Sequence, residues 1–206
     1  MRFLEHSFKK KYKRNFIYSI QNYLMEFRCV DECSQCCVER EYYPTKQFGK
    51  IGVLILPEEK ERIEKLAEVN KIKIKILPRI GVSKNKNQMP TKILAYQLMG
   101  IEDNGNTCPF LDTHSGKKST HGGFPCKIYK DKPLACSAYP LIEINPISLD
   151  QKCKFCKECG TADKNLNFET ESLLKIKESM QTNAMCIWRY ATGIGEQEDH
   201  EIIKTG

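Results

Sequence analysis

The sequence predicts a small, cysteine-rich α+β domain with short strands, a charged helix and a C-terminal helix. Short apolar runs of strand length are interspersed with segments whose apolar residues recur at helical spacing. Ten of the eleven cysteines fall into three groups instead of being scattered along the 206 residues. Grouped cysteines at short spacings are typical of metal sites, so we expect a metal-stabilised domain.

Length and composition favour one domain with appendages, because 206 residues are enough to bury an apolar core. We divide the chain into a basic and aromatic lead-in (residues 1–28), a cysteine-cluster metal-binding domain (residues 29–160) and a C-terminal helix with a tail (residues 161–206). In the lead-in, apolar residues between Phe16 and Phe27 have the spacing of one helix face.

Charge and the N-terminus limit the partners of the chain. The 33 Lys and Arg against 26 Asp and Glu give a net charge of +7, which permits weak attraction to nucleic acid without a dedicated binding surface. The basic N-terminus has no apolar signal region, and the longest apolar run, Ile51–Leu56, is too short to cross a bilayer. We therefore expect a cytoplasmic protein with no membrane partner. In that reducing compartment the cysteines should bind metal or perform redox chemistry instead of forming disulfides.

A strand followed by a helix is predicted first. Ile51–Leu56 has the composition of a short buried strand. Pro57 then opens a charged helix with acidic residues in its first turn and with Ile63, Leu66 and Ala67 on its apolar side.

A pair of strands is predicted next. Lysine and isoleucine alternate from Lys71 to Ile76, which predicts a strand with its isoleucines towards the core and its lysines in water. A polar loop follows from Gly81 to Pro90, and Ile93–Met99 is a second apolar segment. The turn signal Asp103–Gly105 then predicts a hairpin that leads to Cys108.

The C-terminal helix is predicted from Glu169 to Trp188. Its apolar residues, among them Leu173 and Ile176, recur at helical spacing. Cys186 falls on this predicted helix, and we interpret it as a small core residue.

The first cysteine group, Cys29-x3-Cys33-x2-Cys36-Cys37, places four thiols within nine residues. Two thiolates separated by two residues turn inward from one tight loop and bind one ion, in zinc knuckles and in cluster sites alike. Adjacent side chains generally diverge, so Cys36 and Cys37 are not expected to bind one ion in the same way. One would ligate while the other packs or serves a second centre.

The second group comprises Cys108, Cys126 and Cys136, each bracketed by apolar residues. We expect these thiols at the edge of the apolar core, where water is partly excluded. Any one of them alone is equally explained as a buried, unligated thiol. The polar segment between Cys108 and Cys126 is predicted to be an inserted loop, and its His114 and His121 would either complete a mixed Cys/His site or remain on the surface.

The third group, Cys153-x2-Cys156-x2-Cys159, begins with the spacing of a ferredoxin cluster sequence but lacks the following x3-Cys-Pro. Lysines interleave with these thiols from Lys152 to Lys157. We expect these positive charges to lower the pKa of the thiols and to favour thiolate.

The ordered cysteine groups resemble the YkgJ-type cysteine-cluster family, which is written CxxCxxCC and described as zinc- or iron-chelating. The resemblance covers roughly residues 27–160. It rests on the first group together with Cys108-Pro-Phe-Leu, Cys126-Lys-Ile-Tyr, Lys132-Pro-Leu-Ala-Cys136 and Tyr139-Pro140. The gap between Cys29 and Cys33 is three residues instead of two, which departs from the family pattern.

The resemblance implies metal ligation by the first two groups, with the third group as an addition. The implied ligands are Cys29, Cys33, Cys36, Cys37, Cys108, Cys126, Cys136, Cys153, Cys156 and Cys159. The implied cofactor is Zn²⁺ or a [4Fe-4S] cluster. Thiolate ligands suit both metals, so spacing alone does not choose between them.

Several functions follow from these expectations. The first is a metal-binding module whose folding is coupled to metal capture, and the alternative is an iron–sulfur redox protein. Similarity to flagellin lysine methylases of the FliB type adds iron–sulfur-dependent protein methylation as a further alternative. Zinc-knuckle binding of nucleic acid ranks below these, because the basic residues are scattered. A protein partner stays open, and so does catalysis, since no hydrolase triad, paired carboxylates or phosphate loop stands out.

Overall fold

The computed structural model describes residues 25–26, 29–38, 52–102, 106–154, 156, 164–183, 186–190 and 202–205. Its helices are α1 (Gln35–Val38), α2 (Pro57–Val69), α3 (Leu134–Ala138) and α4 (Asn167–Ser179). Its strands are β1 (Met25–Glu26), β2 (Val53–Ile55), β3 (Ile76–Ser83), β4 (Lys92–Leu98), β5 (Ile101–Glu102), β6 (Asn106–Thr107), β7 (Leu141–Ile144), β8 (Ile147–Leu149), β9 (Lys164–Asn165), β10 (Cys186–Tyr190) and β11 (Ile202–Thr205). Helices and mainly antiparallel strands together confirm the predicted α+β class.

A five-stranded antiparallel sheet in the order β11-β10-β3-β4-β2 forms the centre of the fold. Ile76 of β3 pairs with Leu98 of β4, and Val53 of β2 pairs with the other side of Leu98. On the far side of β3, Val82 pairs with Ile187 of β10. The sheet therefore joins the C-terminal segment to residues 53–98, which lie between the first and second cysteine groups.

The predicted strand and charged helix are confirmed. Val53 and Ile55 of β2 are buried. Helix α2 begins at Pro57, and proline fits this position because the first N–H groups of a helix have no acceptor within the helix. Ile63 and Ala67 are buried on one side of α2, as the spacing predicted. The apolar residues that gave the predicted helix face, from Phe16 to Phe27, lie outside the described residues, whereas Met25–Glu26 within that range form β1.

The buried carboxylate of Glu59 joins α2 to α3. One of its oxygens accepts a hydrogen bond from the N–H of Leu56 at 3.1 Å, which satisfies a donor at the start of α2. Its other oxygen accepts from the N–H of Leu134 at 2.8 Å, at the start of α3. Because Cys136 lies on α3, this carboxylate also fixes the position of one cysteine.

The Lys/Ile alternation was predicted correctly in its faces and wrongly in its extent. The isoleucines pack against the core and the lysines are exposed. The strand begins only at Ile76, because its partner strand β4 ends at Leu98; one further hydrogen bond follows, from the N–H of Met99 to the carbonyl of Lys75. The predicted loop at residues 81–90 is also wrong at its start, because β3 continues to Ser83 between β4 and β10.

The second apolar segment and its hairpin are confirmed. The segment forms β4, and β5 pairs with β6 through Ile101 and Thr107. The turn signal between them, residues 103–105, lies outside the described residues. Thr107 is 1% exposed and leads directly into Cys108.

The C-terminal helix was predicted correctly in position and wrongly in length. Helix α4 ends at Ser179, and Trp188 lies on β10. The indole N–H of Trp188 donates to the hydroxyl of Ser83 on β3 at 2.6 Å. Cys186 was wrongly placed on a helix, because it begins β10 opposite Ser83.

Two apolar clusters lie beside the cysteines. The first comprises Val53, Ile55, Ile63, Ala67, Leu98, Phe110 and Ile128. The second comprises Leu56, Ala138, Leu141, Leu149, Leu173 and Ile176. Cys108, Cys126 and Cys136 pack against the first cluster and Cys156 against the second. This confirms the expectation that the second cysteine group lies at the edge of the core.

The helices that the structure describes do not include one that is both long and apolar enough to cross a membrane.

Candidate metal centre

Cysteines from several distant parts of the chain line one cavity of about 500 Å³. They are Cys29, Cys33, Cys36, Cys37, Cys108, Cys126, Cys136 and Cys153. The fold thus brings the whole first group, the whole second group and one member of the third group together. None of the ten described cysteines forms a disulfide.

Residues 29–38 supply four of these thiols from a short loop and one helical turn. The N–H of Cys33 donates to the carbonyl of Val30 at 3.3 Å, which closes the loop before α1. The sulfur atoms of Cys36 and Cys37 on α1 lie 4.0 Å apart. At this separation the two side chains do not diverge as expected, and both residues line the cavity. That they do not bind one ion in the same way stays a prediction.

Backbone hydrogen bonds connect the first group to the second. The N–H of Cys108 donates to the carbonyl of Cys37 at 2.7 Å. The N–H of Leu111 donates to the carbonyl of Cys108 at 3.0 Å, and Leu111 also forms a β-bridge with Cys126. Cys136 reaches the cavity from α3. The main chain therefore fixes the spacing of these thiols.

The third group is brought to the cavity through Cys153, which is 5% exposed. Its N–H donates to the carbonyl of Asp150 at 3.0 Å, just after β8. Cys156 does not line the cavity but lies close enough to Cys153 for their charges to interact. Cys159 lies outside the described residues, so its assignment as a ligand stays a prediction.

The loop between Cys108 and Cys126 packs against the first group. The N–H of Phe124 in this loop donates to the hydroxyl of Ser34 at 2.8 Å. The carbonyl of His121 accepts from the N–H of Glu32. The inserted loop predicted from the sequence is therefore part of the wall that holds residues 29–38 in place.

Gly123 makes this packing possible. A Cβ atom added to Gly123 would lie 2.6 Å from the carbonyl oxygen of Cys33 and 2.6 Å from the hydroxyl oxygen of Ser34. Side chains do not approach a backbone oxygen that closely, so only glycine fits here without movement. Sequence reasoning missed this residue, since its one available signal was a Gly-Gly pair in a polar loop.

Burial and neighbouring thiols raise the pKa of two cavity cysteines of the first group, Cys29 and Cys37. Burial raises the pKa of Cys29 to about 12, and the hydrogen bond and charge of Cys33 add to the effect. The hydrogen bond with Cys36 holds the pKa of Cys37 well above its usual range, and burial and the charges of Cys36 and Cys108 add to it.

The other two shifts have the same direction. Burial is the largest cause of the raised pKa of Cys126. Burial and then the charge of Cys153 raise the pKa of Cys156 to about 12. The expectation that interleaved lysines lower the pKa of the third group was wrong for Cys156, because burial and a neighbouring thiol outweigh any such effect.

Thiols of this kind bind a cation only after they lose their protons. Without one, crowded thiols stay protonated because neighbouring thiolates repel each other in a partly dry cavity. A bound metal reverses this preference and displaces the thiol protons. Among the described residues, no group of three or more His, Cys, Asp or Glu side chains is arranged to hold a single metal ion. The donor type and the shelter of the cavity nevertheless fit a thiolate-bound metal centre.

Residues other than cysteine complete the wall. His121 lines the cavity, whereas His114 is exposed and does not. Lys132 also lines it, with its ammonium 4.7 Å from the ring centroid of Tyr129. Glu169, 7% exposed, contributes a buried carboxylate from the first turn of α4. Sequence reasoning did not identify Lys132, Tyr129 or Glu169 as parts of the site. Their only signals were nearness to a cysteine, for Lys132 and Tyr129, and nearness to a helix start, for Glu169.

A cavity lined by thiols from several segments defines a cysteine-cluster metal-binding domain. The CxxCxxCC family, described as "Putative zinc- or iron-chelating domain", matches residues 28–157, more than half of the chain. The chain therefore belongs to the CxxCxxCC family, as its cysteine groups predicted. No curated protein and no solved structure matches it significantly.

Proposed function

We propose that this protein binds a metal centre in its cysteine cavity, that the bound group is an iron–sulfur cluster, and that thiolates are its protein ligands. The observation that carries this proposal is the convergence of eight cysteines on one cavity of about 500 Å³. Ordinary packing does not account for it, because structural cysteines behave as small apolar residues surrounded by other apolar residues. Here the sulfur atoms of Cys36 and Cys37 lie 4.0 Å apart, and neighbouring thiols add to the raised pKa of Cys29 and of Cys37.

The cavity volume of about 500 Å³ leaves room for a cluster and not only for a single ion. In a [4Fe-4S] cluster each thiolate binds a different iron, so the four sulfur ligands stand farther apart than around one ion. Thiolates around tetrahedral zinc, with Zn–S bonds of about 2.3 Å, lie only about 3.8 Å from each other.

Zinc is the second candidate, and one distance favours it. The sulfur atoms of Cys36 and Cys37 lie 4.0 Å apart, close to the separation of about 3.8 Å expected for two ligands of one zinc ion. A zinc site with four thiolates would be redox-silent and would stabilise the fold by joining residues 29–38 to α3.

The same cysteines would supply the ligands whether the bound group is a zinc ion or an iron–sulfur cluster. Residues 29–38 and the loop around Cys108 and Cys126 both supply thiols to the lining of the cavity. The bound group supplies positive charge that keeps these thiols deprotonated. Because these ligands must stay reduced, we place the protein in the cytoplasm.

Anaerobic purification, followed by elemental analysis and an absorption spectrum of the same sample, tests the proposal. Iron with acid-labile sulfide and a broad visible band supports the cluster. Stoichiometric zinc without visible absorption supports the second candidate. If the reduced chain takes up neither Zn²⁺ nor iron with sulfide after reconstitution, the proposed function is wrong.

A further inference from the structure

Three exposed aromatic side chains lie at the opening of the cysteine cavity. Phe124, Tyr129 and Phe168 line the cavity, yet 41%, 58% and 60% of their respective surfaces are exposed to solvent. A side chain that both lines a cavity and faces solvent lies where the cavity opens. We call these three residues the aromatic rim.

The aromatic rim contains every exposed Phe, Tyr or Trp among the residues whose burial the structure describes. The other large apolar side chains exposed in that part of the chain, such as Met89 and Ile147, are aliphatic and do not line the cavity. Single exposed apolar residues are common on protein surfaces, whereas a group of large ones marks an interaction site. The aromatic rim is therefore a candidate interface.

The backbone holds the aromatic rim in place. The N–H of Phe124 donates to the hydroxyl of Ser34 at 2.8 Å, and the N–H of Tyr129 donates to the carbonyl of Cys126 at 3.3 Å. Phe168 lies in the first turn of α4. Because these positions are already ordered, a partner that binds the rings loses little free energy in ordering their backbone.

Lysines flank the aromatic rim. Among the described residues that line the cavity, Lys132 and Lys154 are basic, and the one carboxylate, that of Glu169, is buried. Residues 117–132, which contain two of the three rings, carry five lysines and a single acidic residue, namely Lys117, Lys118, Lys127, Lys130, Lys132 and Asp131. The exposed charge on this part of the rim is therefore mainly positive.

Two of these lysines lie over rings of the aromatic rim. The ammonium of Lys132 is 4.7 Å from the ring centroid of Tyr129, and that of Lys118 is 6.0 Å from the centroid of Phe124. Each ammonium is attracted to the ring face that it covers. Nucleic-acid bases need open ring faces on which to stack, so covered faces favour a partner that pairs its carboxylates with the lysines.

We propose that the aromatic rim binds an acidic face of another protein. The rings act as apolar anchors, because aromatic residues are enriched in the cores of protein interfaces. The surrounding lysines pair with carboxylates of the partner and steer its association. The partner therefore lies over the opening of the cysteine cavity. This inference goes beyond the proposed function and does not depend on which group the cysteines bind.

An acidic polypeptide of simple composition tests the kind of partner. The protein, as purified anaerobically, is titrated at an ionic strength of about 0.15 M against a fluorescein-labelled random copolymer of glutamate and tyrosine. A labelled oligothymidylate of similar charge is titrated in parallel. Fluorescence anisotropy should show tighter binding of the copolymer. Tighter binding of the oligothymidylate would assign the surface to nucleic acid and overturn the proposal, and so would failure to bind either probe.

Two variants with matched controls test the surface. Lys118→Glu and Phe168→Ser should each weaken binding of the copolymer at least about tenfold, as loss of an interface anchor does. The controls are Lys73→Glu, an exposed lysine before β3, and Met89→Ser, an exposed apolar residue between β3 and β4. Neither lines the cavity, so both should leave the affinity nearly unchanged.

The proposal needs both losses. Unchanged affinity in Lys118→Glu or in Phe168→Ser would overturn it, because charge and aromatic anchors act together in the proposed interface. Equal losses in the controls would also overturn it, since they would show unspecific attraction to a chain of net charge +7.

The single tryptophan reports folding in these samples. Trp188 is 5% exposed, so its near-ultraviolet circular dichroism shows whether the sheet is intact. If Phe168→Ser fails to fold, Tyr129→Ser takes its place with the same expected loss of affinity. Unchanged affinity in a folded Tyr129→Ser variant would then overturn the proposal.

Discussion

The N–H of Cys108 donates to the carbonyl of Cys37 at 2.7 Å, so that two cysteines from separate groups share one backbone contact. The contact places α1 beside the end of the β5–β6 hairpin and directs both thiols into the same cavity. A hydrogen bond between backbone groups does not depend on side-chain identity, so serine variants of the cysteines should preserve this arrangement. Effects of such variants on metal content can therefore be attributed to the thiols.

Replacement of a cavity cysteine should remove metal and lower stability. We expect Cys33→Ser and Cys136→Ser each to lower metal content and to lower the melting temperature by on the order of 5 °C or more, because metal-binding free energy is also folding free energy. Cys186→Ser on β10 is the matched control and should change neither quantity. Elemental analysis and thermal unfolding of the three variants measure this. Full metal occupancy in Cys33→Ser and Cys136→Ser would refute their assignment as ligands.

Gly123→Ala should displace the first cysteine group. Its new Cβ would lie 2.6 Å from the carbonyl oxygen of Cys33, which forces a backbone shift and costs about 1–3 kcal/mol, as overpacking does. We also expect lower metal affinity, because the shift moves Cys33 itself. Metal titration and urea unfolding measure the two effects.

Gly116→Ala is the control for conformational strain in the same loop. Gly116 has φ +70 with open space around its Cβ position, so alanine there costs about 1–2 kcal/mol of strain without displacing a cysteine. We expect unchanged metal affinity. Equal losses of metal affinity in both glycine variants would show that the contact with Cys33 is not the cause.

The metal-free chain should lose stability at high pH. The pKa values of Cys29 and Cys156 are raised to about 12, chiefly by burial, whereas a thiol in the unfolded chain ionises near 9.0. Between these values the folded state holds more protons than the unfolded state, so the free energy of unfolding falls as pH rises. Below the unfolded thiol pKa of 9.0, both states are protonated, and the contribution of these two thiols to the free energy of unfolding is fully present.

Urea unfolding of the reduced, metal-free chain from about pH 8 to about pH 11 measures this dependence, because the range begins below the unfolded thiol pKa of 9.0 and ends below the folded values of about 12. Cys29→Ser should flatten the slope, because it removes one of the thiols whose pKa is raised. A stability that stays constant or rises across the range would contradict the burial of these thiols. Metal affinity should change in the opposite direction and strengthen with rising pH, because protons compete with the metal for thiolate.

Glu59→Gln should destabilise the fold although glutamine has nearly the same shape. The carboxylate accepts hydrogen bonds from the N–H groups of Leu56 and Leu134, and an amide has one oxygen where the carboxylate has two. Loss of a charge-assisted bond at a buried site should lower the free energy of unfolding by about 2–3 kcal/mol. Urea unfolding measures this.

Glu61→Gln is the matched control on the exposed side of α2. Glu61 pairs with Lys65 at 2.6 Å in solvent, and exposed pairs contribute little. We expect no measurable change in stability. A similar decrease in the free energy of unfolding in Glu59→Gln and Glu61→Gln would show that the burial of Glu59 is not the cause of the decrease.

The sequence predicted those elements whose pattern is local. The apolar run of β2, the Pro57 start of α2 and the apolar segment of β4 were recognised because strand and helix periods are written in consecutive residues. The extension of α4 to Trp188 failed because Trp188 continues the helical spacing by coincidence. Its pairing with β3 comes from a strand far away in the chain.

The cysteine chemistry was determined by the sequence itself. Residue type fixes sulfur as the donor, and short spacings within each group fix which thiols can share a centre locally. The family membership and the α+β class followed from the same patterns.

Only the tertiary structure decided which groups meet. The contact between Cys37 and Cys108, the glycine that admits the loop at Cys33, and the closeness of Cys153 to Cys29 all join residues far apart in sequence. Such contacts depend on how the sheet and α3 position the loops, and no periodicity along the chain encodes that. The physical reason is that a metal site is defined by distances between side chains, whereas a sequence specifies only the order in which they occur.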